Sequence, residues 1–195
     1  MAGYSLGGRL ALGLISAAPS RFRRALILSA HPGLQTLRER EERIARDAQW
    51  IRLLRAEGIE SFVSAWESQP LFANQSQLDP ERLWRQRRQR LAHNPERLAL
   101  CLEQLGLGWM PNLRDAVAHF PGHLSWVAGA SDPKFLSIAQ DMKTIRPSTH
   151  LHVLPEIGHN PLLECPRWLE PLIHETAGRG SWRASISDQS REDQP

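Results

Sequence analysis

Three side chains in this 195-residue chain have the types and the chain order of a nucleophile–base–acid triad. Ser5 lies in the sequence Gly3–Gly7 (GYSLG), a G-x-S-x-G pattern typical of a sharp strand-to-helix turn that raises the serine hydroxyl above a sheet. Asp132 follows one apolar run of strand length, and His159 follows another. We expect His159 to take the proton of Ser5, while Asp132 orients and stabilises the imidazole.

The small residues of the elbow have a steric explanation. Positions two before and two after the serine crowd its strained backbone, so glycine is expected at Gly3 and Gly7. The N–H group of Leu6 then points at the negative charge that develops on a substrate oxygen. A glycine-rich helix start is the alternative for the motif alone. A phosphate-binding loop is disfavoured because Arg9 stands where that loop needs Lys followed by Ser or Thr.

Asp132 and His159 each have an ordinary alternative interpretation. Taken alone, Asp132 could form an Asx turn and His159 could be a surface histidine. Their joint placement favours the triad, because each follows a strand and the order along the chain is Ser, Asp, His. Loops at the carboxyl ends of parallel strands meet at one edge of a sheet, which is where sites form.

Hydrophobic patterning predicts an α/β fold with an inserted helical cap. Apolar runs over 24–30, 123–130 and 150–154 predict three strands, alternating with helices that favour a parallel sheet. Residues 34–119 have helical periodicity and are divided by Gly58 and several prolines into about five helices. We expect core segments at 1–33 and 120–176, the cap at 34–119, and a disordered tail at 177–195.

Composition excludes several classes of function. The net charge of +3 is spread over the chain and does not suggest nucleic acid, and no apolar run is long enough for a membrane span. Cys101 and Cys165 form no disulfide or metal pattern, so we expect no metal site and a cytoplasmic protein. Arg9–Ala18 imitates a short signal peptide, but it carries one charge and is better explained as the helix after the elbow.

Several motifs resemble known proteins. Gly3–Arg9, the turn at Asp132 and Gly158–Asn160 resemble the α/β-hydrolase superfamily. Other stretches resemble, within that superfamily, a group of lyases of menaquinone and phylloquinone biosynthesis. These stretches are His31–Leu34, Glu42-Arg43, Trp66, Gln69–Phe72, Arg90–Asn94 and Asp132–Phe135.

The resemblance implies a carbon–oxygen lyase that needs no cofactor. Such an enzyme removes pyruvate from a cyclohexene that carries three carboxylates, and its Ser–His pair abstracts a proton without forming an acyl-enzyme. An esterase or C–C bond hydrolase of the same fold is the alternative activity. Nothing in the sequence predicts an oligomeric state.

The resemblance also implies a set of substrate-binding residues. Arg9, Arg43 and Arg90 would hold the carboxylates of this small anionic substrate, because a guanidinium meets a carboxylate through two parallel hydrogen bonds. Tyr4, Leu6 and Trp66 would line the pocket. Arginine accounts for 22 of the 24 basic residues, so a compositional bias with Arg43 and Arg90 on a solvated helix face is the alternative.

The position of the elbow departs from the superfamily pattern, in which about five strands precede the nucleophile. Here the serine is residue 5, so we expect the chain to correspond to the carboxyl-terminal two-thirds of such an enzyme. Only three strands are then expected, and the strand over 24–30 would have an unpaired edge. A chain without the earlier strands would be prone to aggregation and would be an inactive fragment.

Overall fold

The structure is a computed structural model that describes residues 1–178. One parallel sheet contains four strands in the order β1-β2-β3-β4. The strands are β1 (Ala2–Tyr4), β2 (Arg24–Leu28), β3 (His123–Gly129) and β4 (His150–Leu154). The predicted α/β class with a parallel sheet is therefore confirmed.

Eight α-helices and two short 3-10 segments accompany the sheet within the described residues. The helices are α1 (Leu6–Ala17), α2 (Leu37–Glu67), α3 (Pro80–Leu91), α4 (Pro95–Leu105), α5 (Arg114–Ala118), α6 (Pro133–Ile145), α7 (Pro161–Glu164) and α8 (Pro166–Thr176). The 3-10 segments are Pro19–Arg21 and Pro70–Gln77. None of these helices is long and apolar enough to cross a membrane.

The two faces of the sheet bury different helices, as the alternation of side chains along a strand requires. Leu124 and Trp126 of β3 lie in the larger core with apolar residues of α1, α5 and α6. Val127 faces the other side and packs in a smaller cluster with Leu169 and Leu172 of α8. This arrangement leaves the carboxyl ends of the strands free to carry the site.

The prediction of three strands, with an unpaired edge at 24–30, was wrong. Residues Ala2–Tyr4 form a fourth strand that pairs with β2 in parallel, with Ala2 opposite Leu26 and Tyr4 opposite Leu28. Three residues that include a glycine are too short a run for hydrophobic periodicity to reveal. Because β1 covers this edge, the backbone of β2 is paired on both sides.

The segment between β2 and β3 is helical, as its periodicity predicts. Thr36 and Glu39 form a capping box at the start of α2, and Gly58 interrupts this helix with a φ of 80°. Leu54 and Phe62 of α2 pack against Ala99 of α4, which gives the segment its own apolar cluster.

The predicted cap boundary at residue 119 differs from the packing. Leu113, Val117 and Phe120 lie in the main core with α1 and α6 rather than in the cap cluster. The short α5 therefore belongs with the sheet. The helices that alternate with the later strands are α6, which follows β3, and α8, which lies after β4. Most of the tail predicted to be disordered, residues 179–195, lies outside the described residues.

Candidate active site

The turn between β1 and α1 holds Ser5 in a strained backbone conformation, with φ 47° and ψ −110°. Its N–H group donates to the carbonyl of Leu28 at 2.9 Å, which ties the turn to β2. Leu6 opens α1, so its own N–H group has no acceptor within the helix and can serve a substrate oxygen. The fold thus presents a hydroxyl and a donor at the carboxyl edge of the sheet.

The glycines around Ser5 are needed at positions that differ partly from the predicted ones. A Cβ atom on Gly3 would lie 2.4 Å from the carbonyl oxygen of Gly7, and one on Gly8 would lie 2.5 Å from the Cβ of Ala30. A Cβ on Gly7 itself would meet nothing within 4 Å. Crowding therefore explains the glycines at Gly3 and Gly8. Gly7 has room for a side chain, and it is the backbone of Gly7 that leaves no room for a side chain at Gly3.

The structure brings Ser5, Asp132 and His159 together. Nδ1 of His159 lies 2.8 Å from Oδ2 of Asp132, and Nε2 lies 3.4 Å from Oγ of Ser5. Because a carboxylate oxygen only accepts, Nδ1 carries the proton and Nε2 is free to accept one from Ser5. Oδ1 of Asp132 also accepts from the N–H of Phe135 at 3.2 Å, so the helix cap and the contact with His159 coexist.

Aromatic side chains enclose the imidazole of His159, which is 2% exposed. Phe135, Tyr4 and Phe72 have ring centroids 4.4, 5.6 and 6.3 Å from it. Burial raises the pKa of Tyr4, so its phenol stays protonated and remains a hydrogen-bond donor. Trp66 does not border the imidazole: it stacks on Phe62 in the cap and reaches the site only through Phe72.

Arg90 is turned towards the site rather than towards solvent. Its guanidinium lies 5.2 Å from the ring centre of Phe72 and donates to Oε1 of Glu67 at 2.9 Å. Glu67 also accepts from Arg87. The side chain of Arg90 is 20% exposed, which argues against a solvated helix face.

Arg43 and Arg9 form a second cationic group near α1. Nε of Arg43 donates to Oδ1 of the buried Asp47 at 2.9 Å, and Arg9 donates to the carbonyl of Leu105 at 2.9 Å. Burial, together with repulsion from Arg43, lowers the pKa of Arg9 to about 10, and Asp47 opposes that shift. An anion bound beside Arg9 and Arg43 would relieve their repulsion.

Two residues without a predicted role lie near this positive region. Burial, followed by repulsion from Lys134, Arg114, Arg43 and Arg9, lowers the pKa of His31 to about 4. Burial and repulsion from Arg43 and Arg46 likewise lower the pKa of Lys134. Both residues belong to the stretches that carry the narrower resemblance, which is the signal that could have identified them.

A groove of about 530 Å³ runs along α1 and reaches Leu6 and Arg9. Leu10, Leu14, Leu105 and Trp109 line it, and each of them is exposed. Residues 1–178 contain no group of three His, Cys, Asp or Glu side chains placed to hold a metal ion. The side chains described at the site offer the hydroxyl of Ser5, the imidazole of His159, the carboxylate of Asp132, the phenol of Tyr4 and several guanidinium groups.

A parallel sheet with a serine elbow, and with aspartate and histidine on later loops, defines the class of this protein. A model of the alpha/beta hydrolase family matches residues 1–172, and the chain belongs to that family. The particular proteins that it matches are more specific. It is 36% identical over 173 residues to a Bacillus subtilis (strain 168) protein named provisionally as 2-succinyl-6-hydroxy-2,4-cyclohexadiene-1-carboxylate synthase, covering 89% of this chain and 63% of that protein.

Two further relatives match this chain at a similar level of identity. The enzyme of that synthase name from Enterobacter sp. (strain 638) is 36% identical over 168 residues, covering 85% of this chain and 61% of its own. The solved structure of MenH from S. aureus superposes with a TM-score of 0.84 at 30% identity, over 91% of this chain and 66% of that one. The chain thus spans somewhat less than two-thirds of the length of these relatives.

More distant structures share the architecture. An esterase from Thermogutta terrifontis superposes with a TM-score of 0.72 at 19% identity, covering 91% of this chain and 64% of that chain. At this identity the likeness shows the fold alone.

Proposed function

We propose that this chain provides the triad, the cap and part of the substrate site of a 2-succinyl-6-hydroxy-2,4-cyclohexadiene-1-carboxylate synthase. The observation that carries the proposal is the placement of the half-buried Arg90 guanidinium against Phe72, whose ring lies 6.3 Å from the imidazole of His159. A neutral ester has no use for a guanidinium at this place, whereas a carboxylate-bearing substrate does.

The proposed reaction is an elimination. The Ser5–His159 pair removes a proton from a ring carbon, and the electron pair of that C–H bond forms a ring double bond. The C–O bond to the enolpyruvyl group breaks and its electron pair leaves with the oxygen as the enolate of pyruvate, which takes up one proton at its terminal carbon to become pyruvate. No water is consumed and no bond to Ser5 forms, so the serine acts as a base with His159 as its proton acceptor.

The arginines divide into two groups that suit an anionic substrate. Arg90 is held by Glu67, and Arg43 is held through Nε by Asp47. In Arg43 the two terminal nitrogens remain available for a carboxylate, in the geometry that allows two parallel hydrogen bonds. Arg9 completes this second group one helical turn after Ser5.

The experiment compares two substrates and two proteins. The proteins are this chain and a fusion, in which the chain is joined to the part of the Bacillus subtilis relative that lies outside the matched region. Each is supplied with the enolpyruvyl tricarboxylate and with a small neutral ester. Formation of pyruvate and of the ring diene is followed by coupled absorbance, and ester cleavage is followed by release of a chromogenic alcohol.

The proposal expects pyruvate release from the tricarboxylate at a kcat/KM at least about 100-fold above that for the ester, since the guanidinium groups act only on the anion. Rapid ester cleavage by the fusion, with no pyruvate release from the tricarboxylate, would show a hydrolase and would overturn the proposal.

A further inference from the structure

The carboxylate of Glu164 holds the backbone on both sides of His159. Its Oε2 atom accepts the N–H of Gly158 at 2.5 Å, and its Oε1 atom accepts the N–H of Asn160 at 3.0 Å. Glu164 is the last residue of α7, and its own N–H donates to the carbonyl of Asn160 at 2.9 Å. The residues before and after the imidazole are thus tied to one planar group.

The same carboxylate contacts the cap. Asn74, in the 3-10 segment 70–77, donates from Nδ2 to Oε2 of Glu164 at 2.7 Å and to the carbonyl of Glu156 at 3.0 Å. The approach is close, because a Cβ on Gly158 would lie 2.9 Å from the Cβ of Asn74. The cap and the loop that carries His159 therefore share one hydrogen-bond acceptor.

The chemistry of these contacts requires a carboxylate. Three N–H donors, from Gly158, Asn160 and Asn74, converge on the two oxygens of Glu164. A glutamine at this position would offer one oxygen and would point its NH2 group at another donor. A buried or half-buried donor left without an acceptor is costly, so the loop would shift to find one.

A small shift of this loop would affect one contact of the triad before the other. His159 lies 2.8 Å from Asp132 but 3.4 Å from Ser5, at the long end of the hydrogen-bond range. A displacement of a few tenths of an ångström therefore breaks the contact with Ser5 first.

We propose that Glu164 is a positioning residue that sets the distance between His159 and Ser5, and that Asn74 couples this distance to the cap. Glu164 does not touch the reacting atoms and acts through the backbone of His159. The proposal concerns the Ser5–His159 pair and holds whichever substrate the site takes.

The test uses Glu164→Gln, with Asn74→Ala as a second variant that removes only the contact from the cap. Glu170→Gln is the matched control, because Glu170 is an exposed carboxylate on α8 whose neighbour is His174 at 3.9 Å. Two readouts are followed in the full chain: the NMR resonance of the His159 Nδ1 proton, and the rate at which a fluorophosphonate labels Ser5 as a function of pH. Circular dichroism melts report folding.

We expect Glu164→Gln to slow labelling of Ser5 by about 10- to 100-fold and to shift or broaden the His159 proton, since a misplacement of about 1 Å costs about 100-fold and a smaller displacement costs less. Asn74→Ala should slow labelling by less, about 3- to 10-fold, without a change in the cooperativity of melting. Glu170→Gln should match the unsubstituted chain in both readouts.

A Glu164→Gln variant that melts earlier but keeps the labelling rate and the His159 resonance would make Glu164 a structural residue of α7 and would overturn the proposal. If Glu164→Gln does not fold, an unchanged labelling rate and resonance in Asn74→Ala would overturn the coupling to the cap. An unsubstituted chain whose Ser5 is never labelled would contradict the proposed base, and the His159 resonance would still test Glu164.

Discussion

The imidazole of His159 and the carboxylate of Asp132 form a nearly fully buried pair, with Nδ1 and Oδ2 2.8 Å apart. This contact fixes which nitrogen carries the proton and aims Nε2 at Ser5. We predict that Asp132→Asn reduces kcat of the fusion by about 100- to 10,000-fold, because the amide stabilises the wrong tautomer. Asp141→Asn, on the exposed face of α6, is the control and should leave kcat unchanged.

Alanine substitutions at two glycines of α1, Gly8 and Gly13, should change the free energy of unfolding in opposite directions. In Gly8→Ala the new Cβ would lie 2.5 Å from Ala30 and 2.9 Å from the carbonyl of Gly3, so we expect a loss of about 1–3 kcal/mol in the free energy of unfolding. In Gly13→Ala the Cβ meets nothing within 4 Å, and we expect a gain of roughly 0.5–1 kcal/mol from helix propensity. Urea denaturation of both variants measures the difference, and a stable Gly8→Ala would show that the turn can relax.

Arg90 tests the proposed recognition of anions. Its loss removes a charge-assisted hydrogen bond, so Arg90→Ala should lower kcat/KM of the fusion for the tricarboxylate by the equivalent of about 1.5–3 kcal/mol. Arg88→Ala is the matched control on the same helix, since that guanidinium lies on the exposed ring of Trp84, 4.7 Å from its centre. Equal effects of the two substitutions would make Arg90 a contributor to general surface charge only.

The lowered pKa of His31 should make the free energy of unfolding depend on pH. Its pKa falls to about 4 in the folded chain, whereas an unfolded histidine titrates near 6.5. Between these values the unfolded state binds more protons, so the free energy of unfolding should fall as pH decreases from about 6.5 to 4, by roughly 2–3 kcal/mol for this partly buried group. Above pH 6.5 this contribution is constant.

The variant for this test is His31→Asn, whose side-chain oxygen can replace Nδ1 as acceptor of the Gly33 N–H. Its stability, measured by urea denaturation at several pH values, should change less steeply than that of the unsubstituted chain over this window. An identical slope would assign the acid sensitivity to other groups.

Local patterns were sufficient to predict that Ser5, Asp132 and His159 would lie close together. Each of its members lies at a boundary between a strand and a turn, and such boundaries are visible in the order of apolar and small residues. The strand Ala2–Tyr4 was missed because it is defined by its pairing with β2, which lies more than twenty residues away and leaves no local sequence pattern.

The acidic partners of Arg43 and Arg90 differ in whether the sequence could have predicted them. Arg43 and Asp47 are one helical turn apart, so that pair could have been found from spacing. Glu67 and Arg90 belong to different helices and meet only through the packing of the cap. Trp66 likewise has the residue type expected of a pocket wall, but tertiary packing places Phe72 between it and His159.

Release of pyruvate by the fusion and by its Ser5→Ala variant is the most direct test of the proposed base. The elimination mechanism predicts pyruvate and ring diene in equal amounts, with a rate that falls by about 100- to 10,000-fold in Ser5→Ala, the usual contribution of a general base. Pyruvate release at an unchanged rate in Ser5→Ala would contradict the assignment of Ser5 and His159 as the groups that remove the proton.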